Sequence, residues 1–251
     1  MDYFIPIILF IGGLIGGLYA ANIGGMGLLS LPLLLLVDMP TLQALATHKF
    51  AAVILELAST IKFYKEKKLH WRLGIFLGLI AAIGAVIGTN IVININQNFL
   101  NIIVGVLLVV AAVVILKEED IGIKEKHIES VNWKNHIPMA VTIFALGIYG
   151  GFLGIGFGTF IMLALVFLGF TFIKGAAVAR LVGLFMATTS TIIFAANGLI
   201  NYQYGISLGL GFAIGGWFGI SIAIKRGNQY VKKLLIIIVV LTVIKLITDF
   251  F

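Results

Sequence analysis

Eight long apolar segments constrain the fold of this chain more than any other feature. They cover about residues 3–37, 41–64, 70–93, 97–116, 137–168, 171–197, 202–224 and 230–250. Six of them have about 20 to 27 residues, the length with which one helix crosses a hydrocarbon core of roughly 30 Å. Apolar residues make up 61% of the chain, and its mean hydropathy is +1.16. We therefore predict an all-α polytopic membrane protein.

The composition also excludes several classes of protein. Charged residues make up 11% of the chain, whereas a soluble domain has about 25% and does not hide this much apolar surface. A soluble enzyme, a nucleic-acid-binding protein and a disordered chain are therefore excluded, and the net charge of +7 is assigned to loops beside the lipid bilayer. The chain has no cysteine and no metal-ligand or nucleophile–base spacing. We expect neither an enzyme nor a bound metal or cofactor.

Glycine runs interrupt the first and fifth segments, at Ile23–Gly27 and Gly154–Gly158. Because glycine disfavours a continuous helix, each long segment is predicted to form two short helices or a re-entrant hairpin joined at the glycines. A helix that begins after such a run presents unpaired N–H groups and the positive end of its dipole to an anion. The candidate binding residues at the two runs are Gly24, Gly25, Gly27, Gly156 and Gly158.

The two halves of the chain are similar in sequence. A mixed-charge stretch, residues 117–136, is predicted to be a solvated linker between a first transmembrane repeat, 1–116, and a second, 137–251. An offset of 131 residues aligns the halves without gaps, so that Ser59–Phe63 falls on Ser190–Phe194. Because one offset holds across several segments, we predict an internal repeat.

The basic residues predict that the two repeats are inverted. The loop after the second segment is basic in the first half and uncharged in the second half, and the loop after the third segment reverses this pattern. The basic residues concerned are Lys62, Lys65, Lys67, Lys68, Arg72, Lys225, Arg226, Lys232 and Lys233. Basic loops lie in the cytoplasm, so matching loops lie on opposite faces of the membrane. We predict a 5+5 inverted repeat with both termini outside and the 117–136 linker cytoplasmic, an architecture typical of transporters.

Two cations occupy matching positions in the repeats, Lys49 and Arg180. Lys49 lies about 13 Å into its segment at ~1.5 Å per residue. A cation at this depth costs roughly 2.5–3.5 kcal/mol, so the pair predicts an anion site on the axis relating the halves. Two alternatives remain: side chains that reach the headgroups, or a structural pair with a carboxylate such as Glu56, on the same helix face as Lys49.

Three further polar residues are candidates for the site. His48 and Glu56 are candidate proton carriers, and Asn22, beside the first glycine run, either binds the anion or caps the following helix. Anion export is driven either by the membrane potential alone, at about 2.3 kcal/mol per charge per 100 mV, or together with a proton.

The glycine runs resemble those of the sulfite exporter TauE/SafE family, in which a GxGGG-like run is followed five residues later by Pro. Ile23–Gly27 precedes Pro32, whereas Gly154–Gly158 precedes Leu163. Ala46–Lys49, which contains Thr47, resembles the stretch of small residues and Thr that follows in the family, and Thr47 is a candidate binding residue on that ground. The resemblance implies export of small sulfur oxyanions or organosulfonates across the inner membrane.

The sequence thus predicts a secondary transporter that exports sulfite, sulfoacetate or another organosulfonate by alternating access. Backbone N–H groups at the two glycine runs, with Lys49 and Arg180, would neutralise the anion. The alternatives are an anion channel with the same midplane site and a membrane accessory protein without transport. The sequence leaves the oligomeric state open.

Overall fold

The computed structural model describes residues 4–24, 26–94, 133–154 and 156–233. Every regular element in these ranges is a helix. In chain order they are α1 (Ile5–Ile23), α2 (Gly27–Leu36), α3 (Thr41–Lys65), α4 (Trp71–Asn94), α5 (Trp133–Phe152), α6 (Phe157–Phe167), α7 (Phe172–Ala196) and α8 (Tyr202–Arg226).

The helices match the apolar segments of the sequence. Within the described ranges, five are long and apolar enough to cross a membrane: α1, α3, α4, α7 and α8. The apolar parts of α2, α5 and α6 are shorter. The predicted segment 97–116, most of 230–250 and the linker 117–136 lie outside the described residues. The all-helical membrane class is confirmed for the described part of the chain.

Helix ends coincide with both glycine runs. Gly24 follows α1 with a φ of 81°, and its N–H donates to the Ala20 carbonyl oxygen at 2.7 Å. Gly156 precedes α6 with a φ of 72°. L-residues with a side chain rarely adopt these positive φ values, which explains why glycine occupies both positions.

The central helices lie side by side in defined directions. Helices α3 and α8 run in the same direction, since Phe50 packs on Gly205 and Ile54 packs on Gly209. Helices α4 and α7 likewise run parallel to each other. Helices α3 and α7 run in opposite directions, because Lys49 contacts Met186 whereas the later Glu56 contacts the earlier Arg180.

Glycines bring two helix pairs into backbone contact. Gly215 and Gly219 of α8 lie against the carbonyl oxygens of α1, and Gly84 and Gly88 of α4 lie against those of α5. Small residues are what allows membrane helices to approach this closely. Large apolar side chains on the outer sides of α1, α4 and α8 are exposed, as expected for surfaces that face lipid.

Candidate functional site

The centre of the helix bundle holds three charged side chains. Lys49 and Glu56 lie on α3 and Arg180 lies on α7, with exposures of 1%, 2% and 1%. Neither cation extends toward the lipid headgroups, so the alternative in which these side chains reach the headgroups is wrong for the described conformation. Charged groups this deep in an apolar bundle need polar partners, since an isolated buried charge is costly.

Arg180 and Glu56 form an ion pair between the two halves of the chain. Arg180 Nη1 donates to Glu56 Oε1 at 3.0 Å. The carboxylate lies against Gly183, one helical turn after Arg180, where a Cβ would leave it no room. Glu56 Oε2 and Arg180 Nε are buried and have no hydrogen-bond partner among the described residues. This ion pair therefore retains polar atoms that can accept or donate further hydrogen bonds.

Lys49 does not pair with Glu56, whereas Arg180 forms with this carboxylate the structural pair that was the alternative to an anion site. Its ammonium donates to the carbonyl oxygen of Gly150 and lies 3.7 Å from Met186 Sδ. It also fills the space that a side chain at residue 154 would need, so Gly154 is what admits it. Among the described residues, no carboxylate forms an ion pair with Lys49. The groups that its ammonium contacts directly within that part of the chain are therefore neutral.

The two glycine runs meet each other beside the cations. Gly24 lies directly against the backbone of Gly158 and Thr159, and Thr159 Oγ1 donates to the Ile23 carbonyl oxygen at 2.5 Å. The guanidinium of Arg180 occupies the space where Gly158 lacks a side chain. Lys49 thus reaches one end of the second run, at Gly154, and Arg180 reaches the other, at Gly158. Both cations therefore lie against the second run.

At the first glycine run, the structure describes contacts of Asn22 and the position of Gly27. Asn22 is buried; its amide donates to the Leu18 carbonyl oxygen at 3.3 Å, and Oδ1 has no partner among the described residues. Asn22 does not cap α2, whose N-cap residue is Met26, without a side-chain hydrogen bond. Gly27 is buried at the first position of α2. Gly25 lies outside the described residues.

His48 connects α3 to the start of α2. Its Nδ1 lies 2.7 Å from Ser30 Oγ, and this hydroxyl donates to the Met26 carbonyl oxygen at 3.0 Å. Ser30 Oγ thus lies within hydrogen-bond distance of both the imidazole and the Met26 carbonyl oxygen, and the tautomer of His48 sets which of the two atoms in the Ser30–His48 contact donates.

Thr47 faces a different part of the molecule. Its Oγ1 accepts a hydrogen bond at 3.0 Å from the backbone N–H of Asn201, the residue before α8. The hydroxyl thereby fixes the α7–α8 connection to α3. Its described hydrogen bond is thus structural and leads away from the glycine runs.

The structure adds two residues to the site that the sequence did not single out, Met186 and Thr89. Met186 contacts Lys49, and Thr89 Oγ1 donates to the Gly151 carbonyl oxygen at 3.1 Å and lies 2.8 Å from the hydroxyl of Ser190. No sequence pattern distinguishes Met186, because methionine is common in apolar helices. In the described ranges, no three His, Cys, Asp or Glu side chains are grouped so as to hold a metal ion.

The sequence of the chain matches a family model along almost its entire length. Residues 9–246 match the model of the sulfite exporter TauE/SafE family. The chain belongs to this family. No solved structure matches it at a significant level.

The curated relatives are probable membrane transporter proteins, and the chain covers most of their length. A probable membrane transporter protein, ORF9 of Sinorhizobium sp., is 26% identical over 96% of this chain and 92% of its own. A probable membrane transporter protein of Haemophilus influenzae is 26% identical over 96% and 94%, and YfcA of Escherichia coli K12 is 25% identical over 96% and 89%. The chain is therefore a probable multi-pass membrane transporter of the TauE/SafE family.

Proposed function

We propose that this protein is a secondary transporter that exports a small sulfur-containing anion, such as sulfite or an organosulfonate, by alternating access. The observation that carries the proposal is the convergence of two buried cations on the second glycine run, where the first run packs against it. Helix N-termini, glycine backbone and cations in a dry site are the groups that bind oxyanions. The family description, sulfite exporter, supports the sulfur-containing substrate class.

The helix directions support a 5+5 inverted repeat. The offset of 131 residues aligns α3 with α7, and these helices run in opposite directions. Under the same offset, the packed pair α1–α8 corresponds to the pair α5–α4, and the pair α3–α8 corresponds to the pair α7–α4. All four pairs are in contact in the structure. Inverted repeats that pack this way have two similar arrangements, each open to one side of the membrane, as alternating access requires.

The burial of the site favours a transporter over a channel with the same residues. Lys49, Glu56 and Arg180 are at most 2% exposed, so the described conformation is closed around them. An anion reaches these groups only after helices move, which couples binding to a conformational change. A channel remains the second candidate, and unitary currents in planar bilayers would favour it.

The basic helix ends support the proposed orientation in the inner membrane. Lys62 and Lys65, at the end of α3, lie over the ring of Trp217 in α8, whose own end carries Lys225 and Arg226. Both basic ends therefore lie toward one face, which the positive-inside rule assigns to the cytoplasm. This arrangement corresponds to outside termini and a cytoplasmic 117–136 linker.

Counterflow in proteoliposomes tests the function. Vesicles loaded with sulfite should accumulate labelled sulfite through the wild-type protein, and Lys49→Met should lower the initial rate by about tenfold or more, because the substitution keeps the apolar stem and removes the charge. Lys65→Met, on the exposed end of the same helix, is the control and should leave the rate within about twofold. Absence of counterflow for sulfite and organosulfonates, or an unchanged rate in Lys49→Met, would contradict the proposal.

A further inference from the structure

The buried charges of the described residues do not cancel. Three buried side chains carry a formal charge, namely the cations Lys49 and Arg180 and the carboxylate Glu56. Their sum is +1, with His48 counted as neutral. Buried charges in a membrane protein are stable when they are paired, so an excess positive charge favours an anion that neutralises it.

The carboxylate breaks the symmetry of the two repeats. The offset of 131 residues pairs Lys49 with Arg180, but it pairs Glu56 with Ala187. A site built only from the shared positions would hold two cations and no carboxylate, with a sum of +2. Glu56 therefore lowers the charge of the site from that of a partner for a dianion to that of a partner for a monoanion.

The contacts of the three side chains assign the excess charge to one residue. Arg180 is neutralised by Glu56 at 3.0 Å, and the carboxylate is held in place against Gly183. Lys49 contacts a carbonyl oxygen and a thioether, and it forms no ion pair with the described residues. An incoming anion thus finds one cation without an ion pair, Lys49, and one guanidinium that already holds a carboxylate.

We propose that Glu56 sets the charge selectivity of this site, so that the transporter binds monovalent oxyanions and discriminates against divalent ones. The inference rests on the proposed function, because it concerns the same anion site. It narrows the substrate class to organosulfonates with a single negative charge and to hydrogensulfite. Sulfate, and sulfonates that also carry a carboxylate, such as sulfoacetate, bring one negative charge more than the site neutralises, and this charge repels Glu56.

Two anions of similar size and different charge test this selectivity. The purified full-length protein is titrated with methanesulfonate and with sulfate at one pH and one ionic strength, in a sulfonate-free buffer, and its unfolding temperature reports binding. For the wild type we expect an affinity for methanesulfonate about tenfold or more above that for sulfate. In Glu56→Gln the ratio should shift toward sulfate by about tenfold or more, because a neutral amide replaces the carboxylate. Glu56→Asp retains the charge and should retain the wild-type preference.

The outcomes separate this inference from the proposed function. Tighter binding of sulfate than of methanesulfonate by the wild type overturns the inference, and this measurement does not depend on the folding of any variant. An unchanged ratio in a folded Glu56→Gln protein overturns it as well. In both cases anion binding itself, and with it the proposed function, would stand. A wild-type protein that binds neither anion, nor sulfite, would overturn both proposals.

Discussion

At the scale of single residues, glycines decide where the charged side chains of this protein lie. Gly154 admits the ammonium of Lys49, Gly158 admits the guanidinium of Arg180, and Gly183 admits the carboxylate of Glu56. In each case the missing Cβ provides space that the end of a long side chain fills. These glycines therefore have a packing role for the ion pair and the lysine, in addition to any role at the anion.

Substitution of Gly183 by alanine tests this packing. An added Cβ would lie 2.6 Å from Glu56 Oε1, so the carboxylate must move away from Arg180. We expect Gly183→Ala to lower the free energy of unfolding by roughly 1–3 kcal/mol, measured by thermal unfolding of the purified protein. Gly175→Ala, in the same helix, is the matched control, because its nearest neighbour would be the Met162 carbonyl oxygen at 3.3 Å. Equal stability of the two variants would contradict the prediction.

At the level of helices, two interfaces of the bundle share one feature: a glycine of one helix lies against a backbone carbonyl oxygen of the other. Gly219 of α8 lies against the Leu18 carbonyl oxygen of α1, and Gly88 of α4 lies against the Ile148 carbonyl oxygen of α5. The offset of 131 residues relates Gly88 to Gly219. A backbone carbonyl that is part of a helix cannot rotate away, so a side chain at either glycine would separate the helices.

Alanine substitutions at these glycines should therefore have similar effects. We expect Gly88→Ala and Gly219→Ala each to lower the free energy of unfolding by roughly 1–3 kcal/mol, despite the better helix propensity of alanine. Unfolding in denaturant, with Gly175→Ala again as the control, measures the change. A large loss for one variant and none for the other would show that the two interfaces are not equivalent.

At the scale of the whole molecule, the order of helices around the centre follows from their directions. Helices α3 and α7 cross the interior in opposite directions and carry the charged residues, while α8 runs beside α3 and α4 runs beside α7. Helices α1 and α5 pack on the outside of α8 and α4. In the proposed inverted repeat, matching helix ends therefore lie at opposite faces of the membrane.

Cysteine labelling tests this arrangement, and the absence of native cysteine provides a clean background. Lys65 ends α3, and Ala196, at the matching position, ends α7. A membrane-impermeant maleimide on intact cells should label Ala196→Cys and should label Lys65→Cys only after the cells are permeabilised. Lys225→Cys, at the end of α8, should behave like Lys65→Cys. Labelling of Lys65→Cys and Ala196→Cys from the same side would exclude an inverted relation.

The class of fold and the region of the candidate site follow from the amino-acid sequence. In a bilayer every backbone polar group needs an internal partner, so long apolar segments form helices and their lengths identify them. Glycine runs mark helix ends because residues with a side chain rarely adopt the positive φ values of Gly24 and Gly156. Charged residues are rare in such a chain, and those inside apolar segments, Lys49, Glu56 and Arg180, are for that reason candidate site residues.

The pairing of the charged side chains depends on how the helices pack. Helical periodicity relates Glu56 to Lys49 on one face of α3, yet the carboxylate binds Arg180, which lies 124 positions later in the chain. Such a contact depends on which helices are neighbours and how far each is shifted along the other, and local sequence carries neither quantity. For the same reason, the contacts of Lys49 with Gly154 and of Arg180 with Gly158 follow from the tertiary structure and not from the spacing of these residues in the sequence.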